Sequence, residues 1–161
     1  MGSLCERPRP HRYDEDSGTR FICYFNKVKY YLACHKYYIK DKLNDDSIFV
    51  IVHNNWRCHG MNFTIKAYKN GICLSYKDDV DGMKNWNLYI RNGKPVFDRY
   101  LTSDLVFEPY DKDILIKVID SNSYLCVDLS NKRDDNEYGI SYYVGLTKDR
   151  KKATRFQRID K

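Results

Sequence analysis

From Phe21 onward, apolar residues fall in short runs separated by polar clusters. The runs cover 21–25, 29–34, 37–40, 48–53, 62–68, 72–76, 86–91, 96–100, 105–107, 114–118, 124–127, 142–146 and 154–159. Runs this short, rich in Val, Ile, Tyr and Phe, fit a pleated, half-buried surface and predict about a dozen strands. The joints carry turn chemistry: Asn44-Asp45-Asp46, Asn54-Asn55, Asn70-Gly71, Asp81-Gly82, Asn92-Gly93 and Ser121-Asn122-Ser123. Asn70-Gly71 and Asn92-Gly93 have the composition of two-residue hairpin turns. No segment holds a 3.6-residue apolar period over about ten residues, and a single helical turn over 41–46 is the one departure expected.

A threefold echo runs through this pattern. Tyr31-Leu32-Ala33-Cys34, Ile72-Cys73-Leu74-Ser75 and Tyr124-Leu125-Cys126-Val127 are similar steps from apolar to small residues. Threefold repetition of a four-strand unit is what a β-trefoil requires, and it closes the sheet so that few edges stay exposed. The pattern alone predicts an all-β barrel or sandwich of about a dozen short strands, and the echo is compatible with a β-trefoil.

Composition sharpens the boundaries. Residues 1–19 are polar, carry Pro8 and Pro10, and hold little that a core could use, so they are expected to form a disordered N-terminal pro-segment ahead of a domain over 20–161. No apolar stretch reads as a signal peptide, and none approaches the roughly 18 residues that span a membrane. The six cysteines show no tight spacing, and Cys23, Cys34, Cys73 and Cys126 sit inside apolar runs, where a thiol behaves as a small hydrophobe. Aromatic residues make up 15% of the chain and most are Tyr, a strand former whose polar tip suits the wet ends of a small barrel. The formal charge is +6, but 22 acidic residues interleave with 28 basic ones, which describes a mixed solvated surface and gives no nucleic-acid footprint. The most basic segment, 148–158, carries Lys148, Arg150, Lys151, Lys152, Arg155 and Arg158 against Asp149.

Catalytic chemistry finds no footing. His53, Cys58 and His59, with Cys34-His35, match no common zinc spacing, so no metal or other cofactor is expected. Ser141 and Thr147 lack a nucleophile-elbow setting, Asp78-Asp79 and Asp134-Asp135 read as turn formers, and no glycine-rich phosphate loop occurs. The chain reads as a binding protein without enzymatic activity. Asn62-Phe63-Thr64 is a glycosylation sequon inside a predicted strand and is expected to stay unused. In the tail, Tyr13-Asp14-Glu15-Asp16 followed by Ser17-Gly18 has the form of a caspase site, with an aromatic residue four back from the bond, Asp before it and a small residue after it. An unpacked tail would let a protease thread it and cut between Asp16 and Ser17.

The order of pieces after Asp104 resembles the C-terminal part of the interleukin-1 family: Val106-Phe107, then Tyr124-Leu125-Cys126, a polar loop over 130–139, Gly145-Leu146-Thr147-Lys148, and a last strand with Phe156. Of the family's signature around its tenth and eleventh strands only Tyr124-Leu125-Cys126 is kept; Leu115, Lys117, Ser121 and Val127 depart from it. Gly60-Met61-Asn62-Phe63-Thr64-Ile65 is similar to the interleukin-18 branch, whereas the end of the chain is similar to the interleukin-1 and interleukin-36 branches. The resemblance implies a twelve-stranded β-trefoil over 20–161 and a monomeric cytokine that triggers or antagonises inflammatory signalling, made in the cytoplasm, processed near its N-terminus and secreted by a leaderless route. It also implies an immunoglobulin-domain receptor with an accessory receptor as partners, and no insertion into membranes. Family contacts transferred by position fall on Arg20, on the loop 53–60 with Trp56, Arg57 and His59, and on the loop 130–139 with Asn131, Lys132, Arg133, Asp134 and Asp135; Arg155, just before the closing Phe156, is a further candidate contact. Trp and Arg are the types enriched at binding hot spots, which makes Trp56 and Arg57 the leading contacts. A fibroblast-growth-factor-like or glycan-binding β-trefoil acting through 148–158 is the alternative; the Q-x-W repeat of many glycan-binding trefoils is missing, since Gln157 is the only Gln.

Overall fold

A computed structural model describes residues 18–35, 42–55, 61–78, 84–133 and 139–161. They form strands β1 (Thr19–Phe25), β2 (Val28–Ala33), β3 (Lys42–Asn44), β4 (Ser47–Phe49), β5 (Ile51–His53), β6 (Thr64–Tyr68), β7 (Gly71–Asp78), β8 (Lys84–Arg91), β9 (Lys94–Asp98), β10 (Leu105–Tyr110), β11 (Asp113–Val118), β12 (Ser123–Lys132), β13 (Ser141–Thr147) and β14 (Gln157–Asp160). The described residues contain no α-helix; one turn of 3-10 helix at Arg150–Lys152 is capped by the Asp149 side chain, which accepts from the Lys151 backbone. The protein is all-β, and every strand pair is antiparallel.

The pairings fall into two sets. In the first, β1 pairs with β14 and bridges Phe63 at the head of β6 through Thr19. From there β6 pairs with β7, β7 with β10 and β10 with β11, and Ile114 of β11 bridges Phe156 at the head of β14. In the second set, β2 pairs with β5, β8 with β9 and β12 with β13. These three pairs meet each other: β4 joins β9, β5 joins β13, the Val50 N–H donates to the Pro95 carbonyl at 3.3 Å, and the Val144 N–H donates to the Val50 carbonyl at 3.0 Å.

Between the two sets lies an aromatic centre. Phe21 packs against Phe107, Phe63 and Phe156 with ring centroids 5.5, 6.1 and 6.5 Å apart, and Phe63 stacks on Phe97 at 5.4 Å. Phe21, Phe63, Phe97 and Phe156 are fully buried, and each such ring removed from water contributes about 1.5–3 kcal/mol. Aliphatic side chains complete the core, among them Leu32, Ile48, Leu74, Leu88, Leu105 and Leu125.

Several local expectations are corrected. The run over 48–53 is not one strand: it breaks at Val50, where the chain leaves β9 and takes up β2 and β13. The helical turn over 41–46 is instead the β3–β4 hairpin, whose turn is fixed when Asn44 Oδ1 accepts from the Asp46 N–H. Tyr100 lies beyond β9, because the Asp98 carboxylate bends the chain by binding the next N–H groups. The Asn70-Gly71 turn is shifted by one: Tyr68 pairs with Gly71, so Lys69 and Asn70 make the turn. Gly71 is needed for another reason, since a Cβ there would collide with the Leu105 carbonyl where β10 crosses β7. Asn92-Gly93 does form the expected turn, with φ of 52° and 78°. Of the three echo segments, 31–33 lies on β2, 72–75 on β7 and 124–127 on β12. The 37–40 run falls outside the described residues.

Candidate functional site

The site is the surface where the connections after β5 and after β12 leave the sheet. Their roots are tied together. The Asn54 N–H donates to the Ile140 carbonyl at 3.0 Å, and Asn54 Oδ1 accepts from the Ile140 N–H at 2.8 Å. Gly139, at a φ of 100°, passes so close to the Asn54 amide that a side chain would not fit. One asparagine thus ties the start of the connection after β5 to the end of the connection after β12.

Beneath this clasp sits a buried polar cluster of His35, His53, Arg133 and Ser141. Ser141 lies opposite His53 across the β5–β13 pair, and the two imidazole rings meet edge to face at 5.7 Å. Nδ1 of His53 accepts from the Asn55 N–H at 2.9 Å, so the ring proton sits on Nε2. Burial, with smaller electrostatic contributions from neighbouring His35 and Arg133, pushes the His53 pKa down to about 3. The ring is therefore neutral and serves as a fixed acceptor for the first residues of the loop. Arg133 closes the other loop: its N–H donates to the Ser141 carbonyl at 3.0 Å and Nη1 to Ser141 Oγ at 2.6 Å.

Arg20 stands at the far end of the β5–β6 connection. Its Nε donates to Asn62 Oδ1 at 2.8 Å, and its guanidinium lies 5.8 Å from the Tyr31 ring. Met61, next to Asn62, is buried against Ile22, Tyr31, Ala33 and Ile51. Arg20 thus joins the same surface through Asn62. That contact and its burial also turn the sequon asparagine inward.

Asn131 and Lys132 are exposed at the end of β12, and Asn131 also lines a cavity of about 340 Å³ with Phe49, Lys94 and Tyr143. Arg133 was expected as an exposed contact, but it is 4% exposed and holds the loop from beneath. Arg155 is anchored elsewhere. It pairs with Asp111 and Asp113 at 3.3 and 3.6 Å and covers the Tyr110 ring at 4.5 Å, on the β10–β11 turn. Trp56, Arg57, His59, Asp134 and Asp135, like Tyr13, Asp16 and Ser17, lie outside the described residues. The sequence does not reveal Asn54 as a clasp or His53 as a loop support, although both fall in the 53–60 segment to which the resemblance transfers family contacts. No cluster of three metal-ligating side chains occurs among the described residues. The described cysteines are free thiols, and burial pushes that of Cys23 up to about 12. No protein-family model matches this chain, and no curated protein does either.

Proposed function

We propose that the chain is a β-trefoil ligand of the interleukin-1 type, which binds an immunoglobulin-fold receptor through the surface built from Arg20, the 56–60 loop and the 131–135 loop. The observation that carries the reading is the clasp between Asn54 and Ile140, which ties together the ends of two segments that the resemblance names separately. The trefoil reading is supported by six strand positions traced from β1 back to β1 and by three further pairs meeting around Val50. A rigid sheet whose strands are engaged with each other leaves recognition to the loops it holds. Processing after Asp16, release by a leaderless route and recruitment of an accessory receptor belong to the same reading.

The polyanion alternative finds less support. Arg150, Arg155 and Arg158 of the basic segment are each paired locally, with Glu108, with Asp111 and Asp113, and with Asp160. Charges neutralised this way release few counterions from a polyanion.

The test is binding to soluble ectodomains of interleukin-1-receptor-type receptors. Trp56→Ala is expected to weaken binding by about thirtyfold, the cost of losing a hot-spot side chain, with the melting temperature almost unchanged. Lys132→Ala is expected to weaken it less, and Arg155→Ala to leave it unchanged. A Trp56→Ala protein that binds normally but melts many degrees lower would place Trp56 in the core and refute the surface.

A further inference from the structure

A second concave feature lies away from the loop clasp, between the β6–β7 turn, the 99–104 connection and the β11–β12 turn. It is a cleft of about 660 Å³, and three tyrosines, Tyr68, Tyr89 and Tyr100, stand around it. Each carries a cation on one ring face at 5.3 Å: Lys69 on Tyr68, Arg91 on Tyr89 and Arg99 on Tyr100. Thr102, Ser103, Asp120 and Ser121 also line the cleft, the Ser121 hydroxyl sharing a hydrogen bond with that of Ser123 at 2.5 Å.

The walls are held from inside. Asp98 is 1% exposed and binds in four directions: Oδ1 accepts from Ser47 Oγ at 2.5 Å and from Arg91 Nη2 at 2.7 Å, while Oδ2 accepts from the Tyr100 and Leu101 N–H groups at 2.9 and 2.8 Å. Burial alone would raise the Asp98 pKa, but these four bonds hold it below the usual carboxylate range. Ser103 Oγ accepts from the Ile90 N–H at 3.0 Å, which fixes the connection against β8. Asp104 accepts from the Asn70 N–H through Oδ2 at 2.9 Å and from the Ile119 N–H through its carbonyl at 3.0 Å, so one residue joins the other two walls. The backbone of the cleft is thus fixed before any ligand arrives. Yet Tyr100, at its mouth, is 69% exposed, and Leu101 beside it is 44% exposed. A rigid backbone that holds a large aromatic ring in water presents a ready stacking platform, because the ordering cost is already met.

We propose that this cleft binds a short oligosaccharide, stacked on Tyr100 and Tyr89 and held at its hydroxyls by Asp120, Thr102 and Ser121. The chemistry favours a sugar on three counts. The negative face of an aromatic ring attracts the weakly positive C–H groups on the flat side of a pyranose. Side-chain hydroxyls and a carboxylate match a ligand that both donates and accepts hydrogen bonds at every carbon. Charge disfavours a strong polyanion, because Arg91 and Arg99 are already paired with Asp98 and Asp46, and Lys69 and Asp120 contribute one charge of each sign. The site uses neither the loop clasp nor the basic segment, so it stands or falls apart from the receptor reading.

The test is a printed panel of neutral, sialylated and sulfated oligosaccharides, followed by amide chemical-shift titration of the full chain with the best trisaccharide. A neutral or sialylated sugar is expected to bind, with shifts at 68–70, 89–90, 100–103 and 120–121. Tyr100→Ala and Tyr89→Ala are expected to weaken binding about tenfold each, the worth of one aromatic contact. Tyr24→Ala, which removes another exposed tyrosine, on β1, is expected to leave binding unchanged. Tyr100 is too exposed for its loss to unfold the chain, and an unchanged melting temperature checks this. The proposal is overturned if no sugar of the panel binds, if the tyrosine variants bind as the parent does, or if only sulfated sugars bind and the shifts fall on 148–158.

Discussion

The aromatic centre and the root of the loops are both buried, and they are built on opposite principles. Phe21, Phe63, Phe97 and Phe156 touch one another and carry no polar atom beyond the backbone. His35, His53, Arg133 and Ser141 are as well hidden, but every one of them brings a polar group inside. A dry cluster tolerates small shifts in angle, since dispersion has no preferred direction. A polar cluster holds only one geometry, because a displaced donor leaves an acceptor unmet at about 1–3 kcal/mol. The first arrangement gives stability and the second gives position. The second lies at the described ends of the connections after β5 and β12.

The largest effect should come from the dry side. Phe156→Ala removes a ring that packs edge to face on Phe21 and lies beside the Ile114 bridge. The expected loss is about 3–5 kcal/mol, the usual cost of a large aromatic cavity. For a domain of this size that corresponds to a melting temperature lower by roughly 10 °C. A loss under about 1 kcal/mol would mean that the two strand sets do not share one core, and the contrast drawn here would fail.

The polar side should answer to pH, and the dry side should not. The His53 pKa is about 3 in the folded protein and near 6.5 when unfolded. The unfolded chain therefore binds more protons between these values, and stability must fall as pH drops below about 6.5. The slope approaches about 1.4 kcal/mol per pH unit until the folded ring itself takes a proton near pH 3. His53→Asn keeps an acceptor for the Asn55 N–H and removes the proton site, so urea titrations of that variant should lose this slope. Arg133→Met removes a cation that faces the ring, raises the folded pKa and should make the slope end at higher pH. An acid profile that is identical in the parent and in His53→Asn would show that His53 is not buried neutral.

How much of this was legible in the sequence follows from the same physics. Strand positions were readable because alternation of apolar residues is a local signal, and the Asn92-Gly93 turn because positive φ at two successive residues asks for those types. The Asn26–Lys27 turn was not, since Lys27 adopts a φ of 66° that its side chain does not advertise. The break at Val50 was invisible because its cause is a change of partner, from β9 to β2 and β13, far away in sequence. The same holds at the site. Arg133 looked like one more charge in a polar loop, and only the proximity of Ser141 and His53 reveals it as a buried support. Asn54 looked like a turn former, and its partner Ile140 lies 86 residues on.

The smallest effect on stability should be the most telling about the clasp. Asn54 is half-buried, and its side-chain oxygen accepts a hydrogen bond from the Ile140 N–H. Asn54→Ala keeps the backbone bond from its own N–H to the Ile140 carbonyl, so the sheet edge survives. The global loss should be about 1 kcal/mol, the net worth of one such bond. Opening at the root of the loops is a separate and smaller event than global unfolding, and losing one of its two ties removes a large share of its free energy. Amide exchange at Ile140 should therefore quicken by about tenfold or more, while exchange at Leu32 and Leu125 in the core follows the small global change. Receptor binding should weaken with it, although Asn54 lies beneath the loops, because the 56–60 and 131–135 loops would lose their fixed spacing. If Ile140 exchanges no faster than Leu125 does, the two loops are not held by Asn54, and the single surface that supports the receptor reading separates into two.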